Sequence, residues 1–203
     1  DAAMWQSLDR KVRNQVRKAE KSALGVESGG PELVTAFYQV FARNMRDLGT
    51  PVYARRLFDE VLAAFPQQAR VFVVRLGAAP VAAAVTLSYR DRFEVPWASS
   101  LREHNALSPN NLLYWTMIRH AIARGCHVFD FGRSSPDAGT YRFKEQWGAR
   151  PEPLTWEYVL SPGATLPDQG PTNPKFSFAI EVWKRLPLKV AGMLGPSIVR
   201  AIP

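Results

Sequence analysis

Apolar side chains recur at helical spacing in the first third of this chain. In residues 4–24 they recur every three or four positions, which predicts one amphipathic helix. Residues 26–27 are predicted to form a short first strand. Two more helices are predicted over residues 34–49 and 57–65, because each of these segments carries a single apolar stripe.

The pattern then changes to strands. Residues 70–76, 81–89 and 92–98 are separated by turns short enough for hairpins, so we predict an antiparallel meander of three strands. Pro96 has no N–H to donate to a β ladder. It therefore predicts a bulge or an edge in the third strand of the meander.

The second half of the chain alternates helices with short strands. A helix is predicted over residues 108–124, since a serine and a proline at its start suit the cap and the first turn. A short buried strand follows at 128–131, then a helical turn at 139–147 and a last strand at 153–160. The complete order predicts an α/β (α+β) fold in which helices flank a mixed, mostly antiparallel central sheet.

Composition divides the chain into three predicted parts. They are a basic amphipathic helix (1–24), one domain with a single core (25–160) and a tail (161–203) that begins with a Pro- and Gly-rich linker. Residues 176–194 regain helical periodicity, broken at Pro187, and mix apolar with basic side chains. This segment is predicted to cover the domain, to dock on another domain, or to lie on a membrane surface.

The chain is strongly basic, with a formal net charge of +8 and an isoelectric point of about 9.9. Such a charge indicates either an anionic partner or only a well-solvated surface. The first helix gathers basic side chains on one face, which suits a nucleic-acid backbone but is also typical of a solvated helix. The residues of this basic face are Arg10, Arg13, Arg17, Lys18 and Lys21.

The sequence gives no support for a disulfide, a cysteine nucleophile, a metal site or a membrane-spanning helix. Cys126 is the single cysteine, so no internal disulfide forms, and packing is the favoured role for a thiol that lacks a base nearby. The three histidines show no metal-ligand spacing, and we expect no metal. No apolar run approaches the ~20 residues of a membrane-spanning helix. We expect a cytoplasmic protein, acting in the cytosol or at the inner face of the membrane.

Polar side chains cluster where the buried strand at 128–131 ends. Asp130 lies at the strand end, a polar loop covers residues 133–137, and the next helical turn carries Tyr141 and Lys144. In an open sheet, ligands bind where the carboxyl ends of strands meet the starts of helices. We therefore predict the functional site at this position.

The same stretch carries a family resemblance. The sequence HVFDFGRSSPDAGTYRFKEQWG, residues 127–148, joins an aromatic-Asp-aromatic-Gly strand end to Gly-x-Tyr-Arg-Phe-Lys and Trp-Gly. It resembles the signature of the Fem family of aminoacyltransferases, which are built from acetyltransferase-like (GNAT) domains, usually two in tandem. The segments RNQVRKAEK, SPNNLLYWTMIRHAIARG and VWKRLPLKV resemble the Fem-like proteins associated with PEP-CTERM and exopolysaccharide loci. The resemblance implies a GNAT fold and the C-terminal half of such a protein, with an N-terminal half as its partner.

The resemblance also implies roles for single residues. Lys144 matches a Fem-family lysine that contacts the transfer-RNA end and stabilises negative charge, whereas an ordinary exposed lysine is the alternative. Asp130 is a candidate base or a structural partner, Glu94 is a second candidate base, and Tyr141 either donates to the oxyanion or packs. Substrate contacts are predicted for a further set: Arg133, Ser134 and Ser135 in the loop, Asn110 and Asn111 at a helix start, and Trp97 beside the bulge.

One element of coenzyme A transferases is missing from this sequence. In GNAT folds the start of the helix predicted at 108–124 holds the pyrophosphate of coenzyme A, on a loop of the form Arg/Gln-x-x-Gly-x-Gly/Ala. Residues 101–111 contain no glycine. This difference weakens coenzyme A as the donor and agrees with the Fem branch, which also lacks the loop.

We hypothesise a Fem-type transferase that moves an aminoacyl group from transfer RNA to an amine of a cell-envelope or exopolysaccharide precursor, with no resident cofactor. Acyl transfer to an amine needs no covalent enzyme intermediate, so the absence of a nucleophile with its base is no objection. Two alternatives stay open. One is an N-acyltransferase that uses acetyl-coenzyme A, and the other is a non-catalytic half that positions substrate for a tandem partner.

Overall fold

One five-stranded sheet organises the computed structural model, which describes residues 1–136, 138–155, 157–161, 163 and 174–200. The strands follow one another in space in the order of the chain, antiparallel from β1 to β4, and β5 runs parallel to β4. The predicted meander and mixed sheet are confirmed. The strands are β1 (Leu24–Gly29), β2 (Ala69–Leu76), β3 (Ala79–Tyr89), β4 (Arg92–Ser100) and β5 (Val128–Asp130).

Helices cover both faces of this sheet, as the fold class predicts. On one face pack α1 (Ala2–Ser7), α2 (Arg10–Glu20) and α5 (Pro109–Ala123). On the other face pack α3 (Val34–Leu48) and α4 (Arg55–Ala64). The short α6 (Gly139–Glu145) follows β5, while α7 (Pro174–Lys184) and α8 (Leu188–Val199) pack on α3. Short 3₁₀ turns lie at Pro31–Leu33 and Arg102–Leu107.

The central strands are apolar at successive positions because both of their faces are buried. In β2, Phe72 and Val74 enter the core under α2 and α5, whereas Val71 and Val73 enter the core under α3 and α4. All four side chains are fully buried. Since side chains alternate across a strand, a continuous apolar run is what two covered faces require.

The first predicted helix is in fact two helices. The chain breaks at Leu8 and Asp9, and the Asp9 carboxylate accepts a hydrogen bond of 2.6 Å from the Lys11 N–H at the start of α2. The prediction of one continuous helix over 4–24 was wrong because an aspartate can cap a new helix at this point. The inward stripe of α2 is as expected, with Val12 and Val16 buried.

The last predicted strand, at 153–160, is also wrong for the residues of it that are described. Residues 153–155 and 157–160 pair with no other strand of the described chain, and Trp156 lies outside the described residues. The Val159 side chain is fully exposed. Pro151 and Pro153 bring no N–H donor to a ladder, so apolar composition alone does not make this segment a strand.

The tail places two helices against α3, with the predicted break at Pro187 confirmed. Arg46 on α3 donates from Nη1 to the Leu186 carbonyl at 3.0 Å, and Trp183 is buried. The predicted linker falls almost wholly on residues that the structure does not describe. Among the described helices, none combines the length and the apolar character needed to cross a membrane.

Candidate active site

β4 and β5 separate shortly after they pair. Their parallel register ends where Glu94 lies beside Asp130. β4 continues through residues 95–100, and no described strand pairs with that stretch on its β5 side. An open strand edge therefore faces residues 131–136, which follow β5. We refer to the space between these two segments as the slot.

A bulge in β4 accompanies this separation. From Glu94 to Trp97, β4 takes three residue steps where the paired β3 takes two. The extra residue changes which face each side chain reaches: Val95 enters the core under α5, but Trp97 packs on the other face against Phe58, with ring centroids 5.3 Å apart. The bulge predicted from Pro96 is thus confirmed, and Trp97 is half-buried beside it.

The chain that leaves β5 passes close to the bulge. Gly132 has a φ of +71°, and a Cβ built on it would lie 2.9 Å from the Val95 carbonyl oxygen. Both facts require glycine, because other residues rarely adopt this conformation and would also collide with β4. Gly132 therefore fixes how near the loop lies to the bulge at the point where the slot begins.

Lys144 reaches from α6 to the same loop. Its ammonium donates to the Gly132 carbonyl at 2.7 Å and to the Arg133 carbonyl at 2.9 Å. An ammonium has three N–H donors, so one is left for another acceptor. Burial lowers the pKa of Lys144, and the nearby Asp130 carboxylate opposes that shift. The structure thus places a half-buried cation on the loop that borders the slot.

The two candidate carboxylates differ in their surroundings. Asp130 accepts from the Gly132 N–H at 2.8 Å through Oδ1 and from Arg92 Nη1 at 2.9 Å through Oδ2. Both of its oxygens are therefore engaged in holding the turn after β5. Glu94 is half-buried, and its side-chain carboxylate makes no hydrogen bond or ion pair with any described residue. The alternative role for Asp130, that of a structural partner, agrees with these contacts.

The loop and α6 carry the other predicted contacts. The Ser134 hydroxyl donates to Thr140 Oγ1 at 3.3 Å, which ties the loop to the first turn of α6. Arg133 and Ser135 are exposed, and Tyr141 is half-buried. Asp137, the last residue of the predicted loop, lies outside the described residues.

The start of α5 lies at the edge of the sheet where β4 and β5 end, because these strands are parallel and α5 follows β4. Asn110 and Asn111 are half-buried in its first turn. The predicted serine cap is wrong in its details: Ser108 is the cap residue, with a φ of +58°, but its hydroxyl donates to Gln15 Oε1 on α2 and not to the helix. Ser108 therefore joins α2 to the start of α5.

The basic face of α2 points away from the core. Arg10, Arg17, Lys18 and Lys21 are exposed, and Arg13 is half-buried with its Nε unpaired among the described residues. The Arg17 guanidinium lies over the Trp5 ring, 5.4 Å from its centroid. The cations thus line an open surface of the same helix that contacts the start of α5.

The sequence analysis did not identify one buried residue that packs against the loop and α6. Tyr114 on α5 is buried and stacks on Phe131 at 5.5 Å, and its ring also contacts Phe143 of α6 at 5.1 Å. It joins the helix, the loop and α6 in one aromatic cluster. The signal was present as an aromatic on an apolar stripe, but helical spacing alone does not show which distant rings it meets.

Replacing Tyr114 with phenylalanine is expected to reduce the fall in the free energy of unfolding that alkaline pH causes. Burial raises the pKa of Tyr114 to about 12, whereas the unfolded chain releases this proton near pH 10. Stability therefore falls as the pH rises from about 10 to 12, by up to about 3 kcal/mol. Urea unfolding at pH 8 and pH 11 measures the effect. Tyr89→Phe, at an exposed tyrosine, should change nothing, and equal pH dependence in all three proteins would contradict the assignment.

Two surface hollows lie away from the slot. One, of about 360 Å³, lies between α4 and the end of α8. The other, of about 330 Å³, lies beside Arg90, Arg124 and Cys126. Cys126 is half-buried, so its packing is less complete than predicted. The described residues contain no cluster of three or more His, Cys, Asp or Glu side chains suited to a metal.

Comparison with known proteins places this architecture. Residues 6–145 match the model of a family described as the acetyltransferase (GNAT) domain. No curated protein matches the chain by sequence. The crystal structure of FemX superposes with a TM-score of 0.66 at 17% identity, over 72% of this chain and 55% of that protein. The superposed part of the chain therefore spans a little over half of FemX.

Two smaller solved structures match almost over their whole lengths. An aminoglycoside acetyltransferase from an uncultured soil metagenomic sample, in complex with sisomicin, gives a TM-score of 0.56 at 11% identity over 68% of this chain and 97% of that one. The ribosomal-protein-alanine N-acetyltransferase from Brucella melitensis biovar Abortus 2308 gives 0.55 at 11% identity, over 68% and 99%. At such identities the likeness shows a shared fold.

Proposed function

The chain belongs to the acetyltransferase (GNAT) family and carries an acyltransferase domain; from this premise we propose that it transfers an aminoacyl group from transfer RNA to an amine. The observation that carries the proposal is the position of α2. Its exposed cationic face belongs to the helix that is joined to the start of α5 through Gln15 and Ser108, at the edge where the slot opens. A polyanionic donor lying along α2 would reach the slot with its end.

Aminoacyl transfer to an amine requires few catalytic groups from the enzyme. The nitrogen of a neutral amine attacks the ester carbonyl that joins the amino acid to the transfer RNA, and an oxyanion forms on the carbonyl. The C–O bond to the ribose then breaks, the ribose hydroxyl leaves with a proton, and the amine nitrogen gives up one proton. An acyltransferase therefore needs a cation or N–H donor for the oxyanion and an acceptor for the amine proton.

We assign these two roles to Lys144 and Glu94. Lys144 keeps one ammonium N–H beyond those it gives to the loop carbonyls, and this N–H suits a developing oxyanion. Glu94 is the better base of the two carboxylates, because both oxygens of Asp130 already accept hydrogen bonds. Asp130 then positions the loop. Tyr141 remains a second candidate donor to the oxyanion.

The acceptor is proposed from the surface of the loop. Arg133, Ser134 and Ser135 present a cation and hydroxyl groups beside the slot, which suits a polar amine that also carries phosphate or carboxylate. Amines of cell-envelope and exopolysaccharide precursors have this character. We propose such a precursor as the acceptor and a second, N-terminal GNAT-like half as the partner that completes its site.

A second candidate is acyl transfer from acetyl-coenzyme A. The observation in its favour is the open edge of β4 along residues 95–100, where an extended donor chain has unpaired backbone groups to bind. The absence of glycine in residues 101–111 speaks against it, because the backbone cannot approach a pyrophosphate as closely.

Filter binding of the chain to charged transfer RNA across a salt series, with coenzyme A as competitor, separates the candidates. We expect binding that weakens steeply with salt and that coenzyme A does not displace. Binding of coenzyme A without RNA would favour the second candidate. Binding of neither ligand would point to the proposed N-terminal half and would favour the alternative of a non-catalytic half that positions substrate for a tandem partner.

The double variant Lys18→Gln/Lys21→Gln is expected to weaken RNA binding and to lower the slope of log K against log salt by about 1.5, the effect of two lost phosphate contacts. The matched control is Arg55→Gln/Arg56→Gln, which removes the same charge from two exposed positions of another helix, α4. If both doubles weaken binding equally, RNA responds only to net charge, and the basic face of α2 is not the binding surface.

A further inference from the structure

The two C-terminal helices use one face to pack on the domain. α7 buries Trp183, and α8 buries Ala191 and Gly195. A Cβ built on Gly195 would lie 2.8 Å from the Val52 nitrogen, so α8 lies directly on the segment that follows α3. The opposite face of each helix is therefore turned to solvent.

The outward sides of α7 and α8 each carry exposed large apolar side chains. Phe178 is 80% exposed and Met193 is 77% exposed. Val182, one turn after Phe178, is exposed on the same side of α7, and Leu194 is exposed beside Met193 on α8. An exposed group of large apolar side chains indicates a binding surface more often than a scatter of single ones does. We call these four residues the tail face.

Basic side chains lie among the residues of the tail face. Arg185 follows Val182 at helical spacing, and Lys189 precedes Met193 by one turn; both are exposed. Residues 174–200 hold five basic residues and one acid, for a net charge of +4. The acid, Glu181, is bound by Lys184 at 2.6 Å. The exposed large apolar side chains are thus accompanied by a net positive charge on the same two helices.

We propose that the tail face docks on the surface of an anionic lipid bilayer, with Phe178 and Met193 entering the interface and Arg185 and Lys189 contacting headgroup phosphates. Apolar side chains flanked by Lys and Arg are what a helix lying on such a surface presents. A protein partner fits less well, because lysine is depleted in the buried centres of protein interfaces. With 11 and 12 residues, α7 and α8 are shorter than the ~20 residues that a membrane-spanning helix needs.

This docking goes beyond the proposed reaction and does not depend on the acyl donor. It would hold the slot near amine acceptors that are themselves anchored in the membrane. Vesicle binding therefore tests it without any activity measurement, and a failure of RNA binding would leave the result intact.

Flotation of the 203-residue chain with two kinds of vesicle tests the proposal. One kind is pure phosphatidylcholine, and the other also contains about 30% of the anionic lipid phosphatidylglycerol. We expect binding to the anionic vesicles that is at least about tenfold tighter than to the neutral ones. Phe178→Ser/Met193→Ser should weaken binding to anionic vesicles by about tenfold or more, since two large apolar groups no longer leave water. Arg185→Gln/Lys189→Gln should weaken it by a similar factor.

Two controls test whether vesicle binding depends on the tail face itself or only on exposed apolar side chains or net positive charge anywhere on the protein. Leu154→Ser/Tyr89→Ser removes exposed apolar side chains elsewhere and should bind vesicles as the parent does. Lys18→Gln/Lys21→Gln removes charge from α2 and should also leave vesicle binding unchanged. The proposal is overturned if the tail variants bind like the parent, if the α2 variant alone loses binding, or if the tail face instead forms dimers in sedimentation velocity without binding vesicles.

Discussion

Replacing Lys144 with methionine is expected to lower the rate of aminoacyl transfer by about 10²- to 10³-fold, the usual effect of removing one preorganised donor to an oxyanion. Methionine keeps the unbranched apolar stem of the side chain and removes the ammonium that now binds the Gly132 and Arg133 carbonyls. The loop loses two charge-assisted hydrogen bonds, so we also expect a fall in stability of about 1–2 kcal/mol. Transfer of a labelled amino acid from transfer RNA to amino sugars, together with urea unfolding, measures both effects.

A neighbouring arginine on the same helix provides the matched control. Arg142→Met removes one positive charge from an exposed position of α6 and should leave the rate within a factor of about 3 of the parent, because solvent screens an exposed charge. Lys144→Arg keeps the charge in a planar group that does not reproduce the two carbonyl contacts, and an intermediate rate is expected. A folded Lys144→Met protein with full activity would remove Lys144 from the mechanism.

The parts of the fold that depend on local periodicity could be predicted from the sequence. The strands β2 and β3 of the meander are apolar at most positions, and short turns separate the three strands, so both their existence and their order followed from the pattern. Pro96 signalled the bulge because its missing N–H excludes it from a regular ladder. Each of these features is encoded within a few residues of itself.

The features that were not predicted from the sequence depend on competition between local structures, such as helix against helix end, or on residues distant in the sequence. Asp9 ends one helix and caps the next, a choice that the apolar stripe across it does not reveal. Residues 153–155 and 157–160 have strand-like composition but pair with no described strand. The difference between Asp130 and Glu94 was equally hidden, because Arg92, the partner that engages Asp130, lies on another strand.

Replacing Gly132 with alanine is expected to cost about 2–3 kcal/mol of stability and to lower the rate of transfer by about 100-fold. The left-handed backbone conformation accounts for about 1 kcal/mol. The rest comes from a Cβ that would lie 2.9 Å from the Val95 carbonyl oxygen, which forces the loop away from β4. Since Lys144 binds the Gly132 carbonyl, its ammonium moves with the loop, and displacement of a catalytic group by about 1 Å is enough to cost two orders of magnitude.

Gly125→Ala separates the two causes. Gly125 has a φ of +75°, close to that of Gly132, but a Cβ built on it meets no atom within 4 Å. This control should therefore show only the conformational cost of about 1 kcal/mol and an unchanged rate. If the two alanine variants lose the same stability and neither loses activity, the spacing between the loop and the bulge does not control the site. If only Gly132→Ala loses activity, the position of the Gly132 carbonyl, and with it that of Lys144, is what the slot requires.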